Sequence, residues 1–135
     1  MTVDEKQKII EEELLSYDDW DDRISYIIEK GYALPEYPLQ FKTNEFLIKE
    51  CQSKLWIYCE CKNEICYFLA HSETVITKGI VALFIELYSN VTPTEILNTP
   101  ITFLEKSGML KLFSNRITGI NGLIKTMHQY AINAK

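Results

Sequence analysis

The sequence lacks the features that a phosphate-binding or membrane-spanning chain requires. Its 14 lysines and arginines stand against 19 acidic residues, a formal charge of −5 with a pI near 5.1. No basic excess is left to neutralise nucleic-acid phosphates, so nucleic-acid binding is not expected. The longest apolar run, Ile80 to Ile85, stops at Glu86, whereas a bilayer span needs about 20 residues; no membrane segment is expected. Only 5 glycines and 4 prolines occur in 135 residues. No glycine-rich phosphate loop, G-x-S-x-G elbow, H-E-x-x-H helix or dinucleotide fingerprint is present. Four cysteines are too few for a disulfide scaffold. The opening residues, Met1 to Lys6, carry neither an apolar signal core nor an Arg-rich transit pattern. A cytoplasmic protein with free thiols is the expectation.

What is present suits one ordinary domain spanning residues 1–135: 47% hydrophobic and 24% charged residues can bury a core without a metal or disulfides. Thr2 and Glu5 stand at capping-box distance and predict a helix over about 3–16. The acidic cluster Asp18-Asp19-Trp20-Asp21-Asp22 suits a second helix start, with Gly31 ending that helix. It lacks the glycine and alternating oxygen ligands of a calcium loop. Pro35 and Pro38 predict an extended surface connection from Tyr32 to Thr43. Residues 46–49, 54–61 and 64–70 read as strands, the last two joined by a turn at Lys62-Asn63. Ser72 is expected to cap a helix to about Tyr88 that is apolar on nearly every side and therefore buried. Thr92-Pro93 and Thr99-Pro100 each read as helix starts, and a last helix is expected from Asn115 to Ala131. Gly119 and Gly122 inside it each cost about 1 kcal/mol relative to alanine, which predicts another backbone lying close to them. The expected class is α+β, with a small three-stranded antiparallel sheet packed by helices.

The cysteines separate into two groups. Cys51 sits in the polar stretch Glu50-Cys51-Gln52-Ser53-Lys54, where a thiol has no apolar face to fill, and is a candidate nucleophile. Lys49, Lys54 and, from elsewhere in the fold, Arg116 are the cations that would favour its thiolate, while Glu50 opposes it. Cys59, Cys61 and Cys66 share one face of the hairpin, with Leu55, Ile57 and Phe68 continuing it. With the turn at Lys62-Asn63, Cys59 is expected opposite Cys66. These three read as core-facing strand residues rather than zinc ligands, because the sulfurs of a C-x-C in a flat strand are expected to stand too far apart; no metal ligands are assigned. His71, at a strand end, reads as a boundary residue.

The stretch Cys51-Gln52-Ser53-Lys54-Leu55-Trp56 resembles the C-Q-S-x-V/L-W motif of the SufE/CsdE family of sulfur acceptors. The resemblance extends over almost the whole chain. It takes in Trp20-Asp21-Asp22-Arg23, Tyr26 to Gly31, Leu34-Pro35, Lys78-Gly79-Ile80-Val81-Ala82, Tyr88-Ser89, Thr92-Pro93, Ile96-Leu97 and Arg116 to Gly119. It implies an α+β fold related to iron–sulfur scaffold proteins of the IscU type. It also implies a carrier that activates a pyridoxal-phosphate cysteine desulfurase (SufS/CsdA-like), takes its persulfide sulfur onto Cys51 and passes it to an iron–sulfur scaffold (SufB-like). Such a protein holds no cofactor beyond a transient persulfide on Cys51 and is not a stand-alone enzyme. The resemblance places Gln52, Ser53, Glu73 and Arg116 around the thiol or against the partner. The chain departs from the pattern at Glu50, where glycine is usual, at His71, where an acid is usual, and at Thr118, where an amide is usual.

Two alternatives belong to other classes. A metal or iron–sulfur cluster scaffold would use Cys59, Cys61 and Cys66, with or without Cys51. A thiol hydrolase would need His71 or His128 as a base beside Cys51.

Overall fold

The hydroxyl of Thr2 accepts the Glu5 amide at 3.1 Å and the Glu5 carboxylate accepts the Thr2 amide at 2.9 Å. This capping box opens α1 (Val3–Leu15). The structure, a computed structural model, describes residues 1–134. Helix α2 (Trp20–Tyr32) begins where Asp19 accepts the Asp22 amide at 2.9 Å, so the acidic cluster serves as helix-start chemistry. Gly31 does not end α2 as expected. It lies buried in the last turn, where an added Cβ would stand 2.7 Å from the backbone nitrogen of Gly79, and so sets how closely two helices cross.

Strands β1 (Leu55–Lys62) and β2 (Ile65–Ser72) pair antiparallel. Their turn is Asn63-Glu64, one residue later than expected. Both residues have positive φ, 53° and 65°, the conformation that matches a tight hairpin turn to strand twist. The later turn moves every pairing by two residues, so that Cys61 faces Cys66 and Cys59 faces Phe68. Because the shift is even, the three cysteines keep their common face.

Among the described residues the sheet has two strands, not three. Residues 46–49 contribute one bridge, Leu47 to Trp56, and one bond from the Ile48 amide to the Leu55 carbonyl at 2.8 Å. Phe46 accounts for the difference. It closes a tight turn (Asn44–Phe46) and packs with Phe41 on the Tyr58 ring, at centroid distances of 5.5 and 3.7 Å. Instead of running extended, the connection makes two such turns, Leu39–Phe41 and Asn44–Phe46, and covers one sheet face as an aromatic lid.

The opposite face packs on helices. Helix α3 (Val75–Leu87) is buried over most of its surface, as its composition predicts. Ser72 does not cap it. The Ser72 hydroxyl ends β2 by donating to the Lys54 carbonyl at 2.7 Å and accepting the Thr74 amide at 3.3 Å. Thr92 caps α4 (Pro93–Asn98) by accepting the Glu95 amide at 3.2 Å. Thr99-Pro100 starts no helix. The next one, α5 (Phe103–Lys106), is capped from a distance by buried Gln7, whose Oε1 accepts the Thr102 and Phe103 amides at 2.7 and 3.1 Å. Helix α6 (Met109–Leu112) and a tight turn over Ser114–Arg116 lead into α7 (Ile117–Ala134). Ile10, Leu14, Ile27, Leu83, Phe84, Phe103 and Met127 form the centre of the core. Among the described residues no helix is long and apolar enough to cross a membrane.

Candidate functional site

Residues 49–54 form a loop closed at its base by the Ile48 amide on Leu55, by the Leu47–Trp56 bridge and by Ser72 on the Lys54 carbonyl. The loop folds back onto α7, and the two glycines of that helix explain how. A Cβ added at Gly119 would stand 3.3 Å from the Cys51 sulfur and 3.4 Å from its Cα. One added at Gly122 would stand 2.8 Å from the Cβ of Glu50. The approaching segment is Glu50-Cys51: at Gly119 it brings the Cys51 backbone close, as expected, whereas at Gly122 what comes close is the Glu50 side chain.

Cys51 is half-buried and borders a cavity of about 270 Å³ that Gln52, Ser53, Thr77, Arg116 and Gly119 help to line. Burial pushes its thiol above the ordinary range, while a hydrogen bond from the Ser53 amide and the charge of Arg116 pull the other way. Arg116, in the turn before α7, donates from Nη1 to Thr77 Oγ1 at 3.1 Å. This bond ties the start of α7 to α3 and fixes the guanidinium beside the cavity. Thr77 is a site residue that the sequence reading missed; its signal is a lone hydroxyl on the buried side of an otherwise apolar helix.

Three of the four shell residues expected around Cys51, namely Gln52, Ser53 and Arg116, line the cavity. Glu73 does not: it is exposed and lies 3.9 Å from the Lys42 ammonium. Neither imidazole borders the cavity. His71 stacks between Trp56 and Tyr37, at centroid distances of 6.0 and 6.5 Å, and His128 Nε2 lies 3.2 Å from the Tyr88 hydroxyl. A thiol hydrolase therefore finds no base here among the described residues. Glu50 stands outside the positive-φ residues, so replacing the usual glycine costs no backbone strain.

The other three cysteines lie at the far end of the hairpin. Cys59 and Cys61 sulfurs are 3.8 Å apart and Cys61 and Cys66 sulfurs 3.0 Å apart. The expected wide separation within Cys59-Glu60-Cys61 is thus overturned, since the side chains lean along the strand and converge on Cys66 across it. Burial and crowding by neighbouring sulfurs push Cys59 and Cys66 well up, Cys66 to about 12.

The chain is thus a small α+β domain in which one loop thiol is sheltered against a helix glycine and beside an arginine. Residues 7–131 match the family described as SufE, Fe-S metabolism associated domain, and the chain belongs to that family. It is 32% identical over 120 residues to an uncharacterised SufE-like protein of Rhizobium etli, covering 84% of this chain and 81% of that one. It is 29% identical over 119 residues to the cysteine desulfuration protein SufE of Wigglesworthia glossinidia brevipalpis, covering 86% and 83%. The fold matches the solution structure of a hypothetical protein from Thermus thermophilus with a TM-score of 0.80 at 18% identity, covering 96% and 95% of the two chains.

Proposed function

We propose that this protein is a sulfur acceptor. It docks on a pyridoxal-phosphate cysteine desulfurase, takes sulfane sulfur onto Cys51, raises the desulfurase's turnover and relays the sulfur to an iron–sulfur scaffold. The observation that carries this reading is the cavity: Cys51 borders it, beside the Arg116 guanidinium. Family membership and the desulfuration protein among its relatives support it.

In the transfer step the Cys51 thiolate attacks the outer sulfur of the donor persulfide. A new sulfur–sulfur bond forms on Cys51 while the donor's own sulfur–sulfur bond breaks, and the donor cysteine leaves as a thiolate. At rest the thiol is raised and half-buried, a poor nucleophile. Reaction requires residues 49–54 to lift from α7 when the donor docks. On return, the cavity houses the added sulfur, the Arg116 charge offsets that of the anionic persulfide, and the Ser53 amide donates a hydrogen bond to it. Glu73, exposed at the start of α3, is available to the partner rather than to the thiol. Desulfurase turnover assayed with free cysteine tests the reading: the wild-type protein stimulates it and Cys51→Ser does not. Equal stimulation by both contradicts it.

A further inference from the structure

Cys59, Cys61 and Cys66 present their sulfurs within 4.8 Å of one another, and sulfur acceptance at Cys51 uses none of them. Core packing explains Cys66, which is fully buried, and in part Cys59, which packs against the edge of the core, but not Cys61. Cys61 is exposed and Cys59 half-buried, at a hairpin end where Glu60, Lys62, Asn63 and Glu64 also face solvent. The exposed Cys61 thiol has little apolar contact to gain there. Strand parity turns Glu60 and Lys62 to the opposite face, where their charged groups lie 3.7 Å apart. The donor set is therefore sulfur alone, with no carboxylate or imidazole joining it among the described residues.

We propose that these three cysteines form a binding site for a soft, thiophilic metal ion, copper(I). Thiolate ligands select copper(I), zinc and iron–sulfur clusters. A structural zinc site asks for four protein ligands, whereas copper(I) is content with three. On binding, the thiols release their protons to solvent and each sulfur donates to the ion. Cys59 and Cys61 come from β1 and Cys66 from β2, so the ion links the two strands next to the Asn63-Glu64 turn. A two-stranded hairpin is weak in isolation, and this end has the least cover. Cys51 lies beyond the other end of β1, so the site leaves the acceptor loop free.

The test is anaerobic titration of the reduced full-length protein with copper(I) against the chelator bathocuproine disulfonate, read by chelator colour and by thiolate-to-copper charge transfer in the near ultraviolet. The wild type and Cys51→Ser are expected to bind one equivalent with equal affinity. Cys61→Ser, which changes an exposed residue and leaves the core intact, is expected to bind more than about 100-fold more weakly, since merely losing a partner of a ligand costs 10–100-fold. Failure of the wild type to hold one equivalent against the chelator overturns the proposal. So does Cys61→Ser binding as the wild type does, or binding that disappears in Cys51→Ser.

Discussion

The sulfur of Cys51 rests on Gly119, at a spacing where an added Cβ would stand 3.3 Å from Sγ. The glycine is a seat for the thiol, and its lack of a side chain lets the loop close. Gly119→Ala asks Cys51 to give by a few tenths of an ångström, at an overpacking cost of about 1–3 kcal/mol, against a helix-propensity gain of about 1 kcal/mol. Stability is therefore expected to change little or fall modestly. The loop equilibrium shifts outward, and Cys51 alkylation at fixed pH is expected to quicken several-fold, read by quenched mass spectrometry.

Arg116 opposes the burial that raises the Cys51 thiol. Arg116→Ala is expected to move the midpoint of the Cys51 alkylation profile to higher pH, and Arg116→Lys to recover part of the shift. Neither profile should carry a step in the histidine range, because His71 and His128 lie away from the cavity. Burial also lowers both imidazoles. An unmoved midpoint in Arg116→Ala separates the guanidinium from the thiol.

Glu50 and Gly122 are coupled through contact, the Cβ of one lying 2.8 Å from where the other's would be. Gly122→Ala is expected to destabilise and to displace the loop, because the atom it meets is close to the backbone. Glu50→Gly removes that atom. In the double variant most of the Gly122→Ala cost should vanish, a coupling of about 0.5–3 kcal/mol by urea denaturation. Additive effects would mean that the loop does not pack on α7.

The Ser72 hydroxyl holds the Lys54 carbonyl at 2.7 Å. Ser72→Ala takes a donor from that carbonyl at a part-buried position, at a cost of about 1 kcal/mol. It also loosens the loop base, so faster Cys51 alkylation should accompany the lower denaturation midpoint.

Helix starts were legible in the sequence where local chemistry decides them: the Thr2–Glu5 box and Thr92-Pro93 cap as read, and the acidic cluster 18–22 starts α2, with Asp19 as its cap. Partners distant in sequence decided the rest. Gln7 caps α5 from 95 residues away, which made Thr99-Pro100 a false start, and Ser72 binds back across the sheet instead of capping α3. Residues 46–49 had strand composition, but Phe46 gained more by packing on Tyr58 than by pairing. At the site, Cys51 was legible because its neighbours in sequence are polar, although the folded loop packs it partly against the core, and Gly119 and Gly122 because glycines inside a helix are costly. Thr77 and the displacement of Glu73 toward Lys42 depend on how α3 is rotated, which no local pattern encodes.

The central claim, that Cys51 alone accepts sulfur, is tested most directly by mapping mass on the reduced protein after incubation with its desulfurase and free cysteine, before any thiol reductant is added. A gain of about 32 Da, one sulfur atom, is expected on the peptide holding Cys51 and on none holding Cys59, Cys61 or Cys66; Cys51→Ser should gain nothing. Sulfur on the hairpin cysteines, or an unchanged gain in Cys51→Ser, would contradict it.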